Sequence, residues 1–97
     1  MVKTIQYRME NGEQVELSLN FVLLYKLRSE DERTYKRLNR VLMKGASEIL
    51  EIVDLLYGAY KAKNMDGISY EQFKEQMNQD FAYNNNITNR LMGYKKN

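Results

Sequence analysis

Thr4-Ile5-Gln6-Tyr7-Arg8-Met9-Glu10-Asn11-Gly12-Glu13-Gln14-Val15-Glu16-Leu17-Ser18-Leu19 holds two alternating segments around an Asn-Gly step. Ile5, Tyr7 and Met9 share one face of the first segment, and Val15, Leu17 and Leu19 share one face of the second, so both are strands with a single apolar side. A two-residue Asn-Gly loop would pair Tyr7 with Glu16 and Ile5 with Ser18, which sends the two apolar sets to opposite faces and leaves neither fit to bury. A three-residue loop, Glu10-Asn11-Gly12, pairs Met9 with Glu13, Tyr7 with Val15 and Ile5 with Leu17. Gly12 then takes the left-handed conformation of a bulge after a type I turn. The second register is expected. It leaves one apolar face that an isolated hairpin cannot stabilise, and the helices that follow must cover it.

After the hairpin, Asn20 is placed to cap a short helix over Phe21 to Leu27 whose apolar residues fall almost all round, as expected of a buried segment. Ser29-Glu30-Asp31-Glu32 reads as a break and a new helix start, with carboxylates where a helix N-terminus favours negative charge, and Lys44-Gly45 closes that second helix. Its apolar face is Tyr35, Leu38, Val41 and Leu42. Ser47 is expected to cap a third, central helix carrying Ile49, Leu50, Ile52, Val53, Leu56, Tyr57 and Tyr60, with Glu51, Asp54 and Lys61 as a thin polar edge. Asn64-Met65-Asp66-Gly67 ends it. Ser69 with Gln72 forms a capping-box signature for a fourth helix with Tyr70, Phe73 and Met77, and a fifth, weaker helix runs from Asp80 through Phe81, Ile87, Leu91 and Met92 to Gly93, with Asn84-Asn85-Asn86 as poor helix material within it. The fold class is therefore α+β, mostly α: an N-terminal β-hairpin packed on a bundle of four to five short helices. Residues 1–93 are read as one domain, with 94–97 a flexible basic tail.

The 97 residues are enough for one modest core, burying roughly 65% of the unfolded surface. The chain has no cysteine and no histidine, which removes thiolate metal sites, disulfides, the usual general base near neutral pH and the partner of Ser or Cys nucleophiles. No Gly-rich phosphate loop, paired-carboxylate cleft or nucleophile elbow is present. Asn64 to Phe73 superficially resembles the exit half of a calcium-binding loop, but placing Gly67 sixth puts Ala62 first and Phe73 twelfth, where carboxylates are required. A turn, a helix cap and a core Phe73 account for every residue of it. Neither an enzyme nor a cofactor is expected. The N-terminus lacks an apolar secretory core and no stretch approaches a bilayer span, so a cytoplasmic protein is expected.

Charge is segregated although the net is only +2: residues 21–45 carry seven Lys or Arg against three acids, and residues 46–80 carry three against seven. Arg33, Lys36, Arg37, Arg40 and Lys44 fall within a narrow arc of the second helix, which makes them the first candidates for a partner surface. They could meet phosphates, with Tyr35 or Tyr94 stacking, or an acidic partner. The plainer account is a solvated face whose charges are met by the acidic helices beside it. Most of the eight tyrosines and six methionines sit at core spacings, leaving Met43, Met65, Tyr83 and Tyr94 as candidate interface residues.

The run from Gln6 to Phe21, followed by Leu24-Tyr25-Lys26-Leu27, Tyr35-Lys36-Arg37-Leu38-Asn39 and Leu55-Leu56-Tyr57-Gly58-Ala59-Tyr60, with Ser69-Tyr70-Glu71-Gln72-Phe73 late in the chain, resembles the small tail assembly chaperones of long-tailed phages and prophages of Gram-positive bacteria. The likeness spans most of the chain and is one of texture, not of a fingerprint motif. It implies a non-enzymatic protein that binds the tape measure protein and tail tube subunits during assembly and carries no family-wide active residues. A small nucleic-acid-binding regulator working through the basic arc, or a generic interaction module, are the alternative expectations.

Overall fold

The structure, a computed structural model, describes residues 4–93. Strands β1 (Ile5–Arg8) and β2 (Gln14–Leu17) form an antiparallel hairpin and are followed by five helices: α1 (Phe21–Glu30), α2 (Glu32–Lys44), α3 (Ile49–Lys63), α4 (Tyr70–Gln76) and α5 (Phe81–Met92). The architecture is α+β and mostly α, as the patterning requires.

The hairpin adopts the register expected from its apolar alternation, with Ile5 opposite Leu17 and Tyr7 opposite Val15. Its loop closes through Gly12 N–H to the Met9 carbonyl at 2.9 Å and Met9 N–H to the Glu13 carbonyl at 2.8 Å. Gly12 has φ +92, a backbone conformation in which a Cβ is strained. The apolar face carries Ile5, Tyr7, Met9, Leu17 and Leu19, all buried. Both ribbon edges are partly occupied as well. On β1, Arg8 N–H donates to the Tyr83 hydroxyl (2.8 Å) and its carbonyl accepts from Asn78 Nδ2 (3.1 Å). Beside β2, the Glu16 carbonyl accepts from Asn64 Nδ2 (2.9 Å) and Ser18 N–H donates to the Ala59 carbonyl (3.1 Å). Groups that would recruit a foreign strand are thus already paired within the chain at these points.

Helix α3 is the central element: Leu55, Leu56 and Ala59 are fully buried, and α2, α1, β2, α5 and α4 all pack on it. Gly58 allows α2 to approach closely, since a Cβ there would lie 2.7 Å from the Leu38 Cβ of α2. Phe73 is fully buried at the centre of an aromatic cluster, its ring centroid 5.3 Å from Tyr60, 5.4 Å from Tyr57 and 6.2 Å from Tyr7. Helix α4 begins with the full capping box between Ser69 and Gln72.

Two local expectations are corrected. Helix α3 is not capped by Ser47: its N-cap is Glu48, which makes no side-chain cap bond, and Ser47 instead gives its N–H and its hydroxyl to Glu51 Oε1 at 2.8 and 2.9 Å. The fifth helix forms between Asp80 and Gly93 as expected, and it tolerates Asn84-Asn85-Asn86 because Asn84 is buried with both ends of its amide used: Oδ1 accepts from the Tyr7 hydroxyl and Nδ2 donates to the Asn78 carbonyl, each at 2.7 Å. Tertiary bonds offset its weak helix propensity. Helix α1 runs on to Glu30 and is not core throughout: Leu24 and Leu27 are buried, whereas Phe21, Val22 and Tyr25 are exposed. Residues 94–97, including the expected basic tail, lie outside the described residues.

Candidate partner-binding groove

A single residue joins α1 to α2 and sets the space between them. Asp31 gives its N–H to the Leu27 carbonyl at 2.7 Å, closing α1, and its carboxylate accepts from the Thr34 N–H (3.2 Å) and the Thr34 hydroxyl (2.7 Å), opening α2. At the other end of α1, Asn20 Oδ1 accepts from Val22 N–H at 2.9 Å. Both ends of the ten-residue helix are therefore fixed, and its rotation is set by Leu24 and Leu27, which pack into the core. That rotation turns Phe21 and Tyr25, one helical turn apart, outward together with Arg28.

Opposite them stand Tyr35, Asn39, Leu42 and Met43 of α2, and the two helices enclose a groove of about 510 Å3. Its floor is apolar: Leu24 is buried and Tyr35 and Leu42 are half-buried against the core. Its lips are Phe21, Tyr25 and Met43, each more than three-quarters exposed (82%, 77% and 79%). Among the described tyrosines and methionines, Tyr25 and Met43 alone stand outside the core and the residues packed against it. A second exposed apolar cluster, Ile49 and Leu50 at the start of α3 with Phe81 at the start of α5, borders a shallower cleft.

The basic arc of α2 lies beside the groove and is largely engaged within the chain. Lys44 forms an ion pair with Glu51 of α3, Lys36 pairs with Glu32 on its own helix (3.8 Å), and the Arg37 guanidinium lies 4.1 Å from the centre of the Tyr70 ring. The hydrogen bond from Lys44, reinforced by the Ser47 N–H and hydroxyl, holds the Glu51 carboxyl down at about 2, against 4.5 ordinarily. Burial, with the hydrogen bond to Asp54 (2.7 Å), pushes the Tyr70 hydroxyl up to about 12. Arg33 and Arg40 make no ion pair among the described residues and line a shallow cleft with Lys36 and Arg37.

Of the residues singled out from sequence, Met43 forms a lip of the groove. Met65 is half-buried against the core, and Tyr83 is occupied by the hairpin, accepting from Arg8 N–H and lying beneath the Arg8 guanidinium (4.9 Å). Tyr94 lies outside the described residues. Phe21, Val22 and Tyr25 were missed, although a signal was present: the stretch from Phe21 to Leu27, apolar almost all round in a chain whose described sheet has two strands, has more apolar surface than its neighbours can cover. No group of three or more Asp or Glu side chains that could hold a metal ion occurs among the described residues, and none of their helices is long and apolar enough to cross a membrane. No family model matches the chain, and no curated protein and no solved structure is similar to it at a significant level.

Proposed function

We propose that this chain is a non-enzymatic, client-binding protein of the tail assembly chaperone kind, which holds an aggregation-prone helical partner in the groove between α1 and α2. The observation that carries the reading is the pair of facing lips, Phe21 and Tyr25 on α1 and Met43 on α2, exposed over an apolar floor. A contiguous apolar recess on a small chain is costly in water unless something covers it, and a groove between two helices suits an apolar helix face. Met and Tyr supply adaptable and amphipathic contact area without demanding one fixed partner geometry. The resemblance of the hairpin and helices to tail assembly chaperones supplies the identity of the client: a tape measure protein, with tail tube subunits as further partners, in the cytoplasm of a Gram-positive host.

Nucleic-acid binding through the basic arc has less support, because Lys36, Arg37 and Lys44 already have partners within the chain, leaving Arg33 and Arg40. Two phosphate contacts give only weak, salt-sensitive binding.

Co-expression with the tape measure protein of the same genome tests the proposal. The long client is expected in the soluble fraction with the intact chain and in the pellet with the Phe21→Ser/Tyr25→Ser variant, whose own unfolding transition stays close to that of the parent because both side chains are already solvated. A client whose solubility is indifferent to the chain would refute the reading.

A further inference from the structure

The groove is not electrically neutral. Of the residues lining it, Arg28 is the one that carries a charge at neutral pH, and no carboxylate lines it. Beyond the lip formed by Met43, helical rotation of 100° per residue brings Lys36 and then Arg40 onto the adjoining surface of α2, and beyond Tyr25 and Val22 it brings Lys26 onto that of α1. Glu32, on the first turn of α2 in the same arc, is held by Lys36. Glu30 lies one turn beyond Lys26 on α1, so the apolar floor runs beside two exposed cations that make no ion pair among the described residues, Arg28 in the groove and Arg40 next to it.

We infer that the groove takes an amphipathic helix whose apolar stripe is flanked by Asp and Glu, an inference that rests on the client-binding reading above and specifies the client's chemistry. The apolar stripe lies on Leu24, Tyr35 and Leu42 between the Phe21/Tyr25 and Met43 lips. The flanking carboxylates meet Arg28 within the groove and Arg40 beside it. The length of the occupant follows from the helices that form the walls. At 1.5 Å per residue, the ten residues of α1 and thirteen of α2 give walls of about 15 and 20 Å, so the bound segment is about three to four turns long. Exposed ion pairs are individually weak, each about twofold in affinity, so the two together shift affinity about fourfold, and about tenfold between an acidic and a basic flank, and they steer the register of the client more than they hold it.

Three synthetic peptides of about fourteen residues, long enough to cover walls of that length, test this against the full chain by fluorescence anisotropy. Two share one Leu/Phe stripe at helical spacing, flanked in one by Glu and in the other by Lys; the third keeps the Glu content and scrambles the stripe. The Glu-flanked peptide is expected to bind about tenfold tighter than the Lys-flanked one at low salt, with the gap closing as ionic strength rises, and the scrambled peptide to bind far more weakly. Arg28→Glu with Arg40→Glu, both exposed positions, is expected to invert the preference, and Tyr25→Ser to weaken both striped peptides alike without inverting it. Equal binding of the two striped peptides would overturn the charge assignment while leaving the client-binding reading intact. Equal binding of the scrambled acidic peptide would overturn the groove as its seat. If neither striped peptide binds, the inference fails; retained client solubilisation in co-expression would then place the client elsewhere on the chain, and its absence would refute both. Displacement of the Glu-flanked peptide by an equimolar single-stranded oligonucleotide, or self-association abolished by Tyr25→Ser, would assign the groove to nucleic acid or to a second copy and overturn the inference.

Discussion

The Tyr7 hydroxyl joins the first strand to the last helix. It donates to Asn84 Oδ1 at 2.7 Å and accepts from Asn78 N–H at 3.0 Å, and the whole side chain is buried. Burial raises its pKa well above the usual tyrosine range, so the proton it donates stays in place at every ordinary pH. Tyr7→Phe keeps the ring and leaves two buried polar groups without a partner, for an expected loss of about 1–3 kcal/mol in urea unfolding. Asn84→Leu breaks the same network, and the double variant is expected to lose less than the sum of the two; strict additivity would show that the bonds are independent. Glu51 gives the corresponding pH prediction. Its folded pKa of about 2 lies below the ordinary 4.5, so its ion pair with Lys44 contributes stability that is complete above about pH 4.5 and is lost as pH falls toward 2. Glu51→Gln is expected to flatten the acid limb of the stability profile between those values, and denaturation midpoints that run parallel to those of the parent across that window would show that other carboxylates set it.

At the scale of elements, the contact between α2 and α3 depends on Gly58. Alanine there would gain about 1 kcal/mol of helix propensity, but its Cβ would meet the Leu38 Cβ at 2.7 Å, and that atom is fixed to the backbone of a packed helix. Overpacking of this kind costs about 1–3 kcal/mol, so Gly58→Ala is expected to lower stability by a net amount of about 1 kcal/mol in thermal or urea unfolding, and a stabilised variant would mean that α2 can shift away without loss. The elements differ in how far they could be read from the chain. The hairpin register was legible because a slip by one residue would strand Ile5, Tyr7 and Leu17 in water, and the α4 start was legible because Ser69 and Gln72 satisfy each other locally. What stayed hidden depended on distant partners. Asn84 looks like a helix breaker until Tyr7 and Asn78 are beside it, and Ser47 looks like a cap until Glu51 claims both of its donors. The groove was half legible. Met43 is visible as a residue left off the apolar face of α2, whereas Phe21 and Tyr25 read as core, since periodicity shows that a segment is apolar almost all round but not which side goes uncovered.

Across the whole molecule, residues near the two ends of the sequence meet in one core. Tyr7 lies against Tyr83 with ring centroids 5.6 Å apart, Arg8 bonds to Tyr83 and Asn78, and Glu10 N–H donates to the Gln76 carbonyl at 3.0 Å. Ile87 and Leu91 of α5, each 1% exposed, belong to the same cluster as the hairpin and α3. A hairpin of two strands is at best marginal by itself, so β1 depends on α5 for part of its burial and for the groups that occupy its edge. Removing residues 78–97 deletes two fully buried side chains at about 2–5 kcal/mol each and strips the partners from Tyr7 and Arg8. That total is comparable to the 5–15 kcal/mol that holds a domain of this kind together. The truncated chain is therefore expected to lose its cooperative thermal transition and its near-ultraviolet tyrosine signal, while the full chain unfolds in one step with coincident far- and near-ultraviolet transitions. A truncated chain that still melted sharply would show that β1, β2 and α1 to α4 form a self-sufficient unit. The groove, which lies wholly on α1 and α2, would then have to retain its affinity for the Glu-flanked peptide without α5.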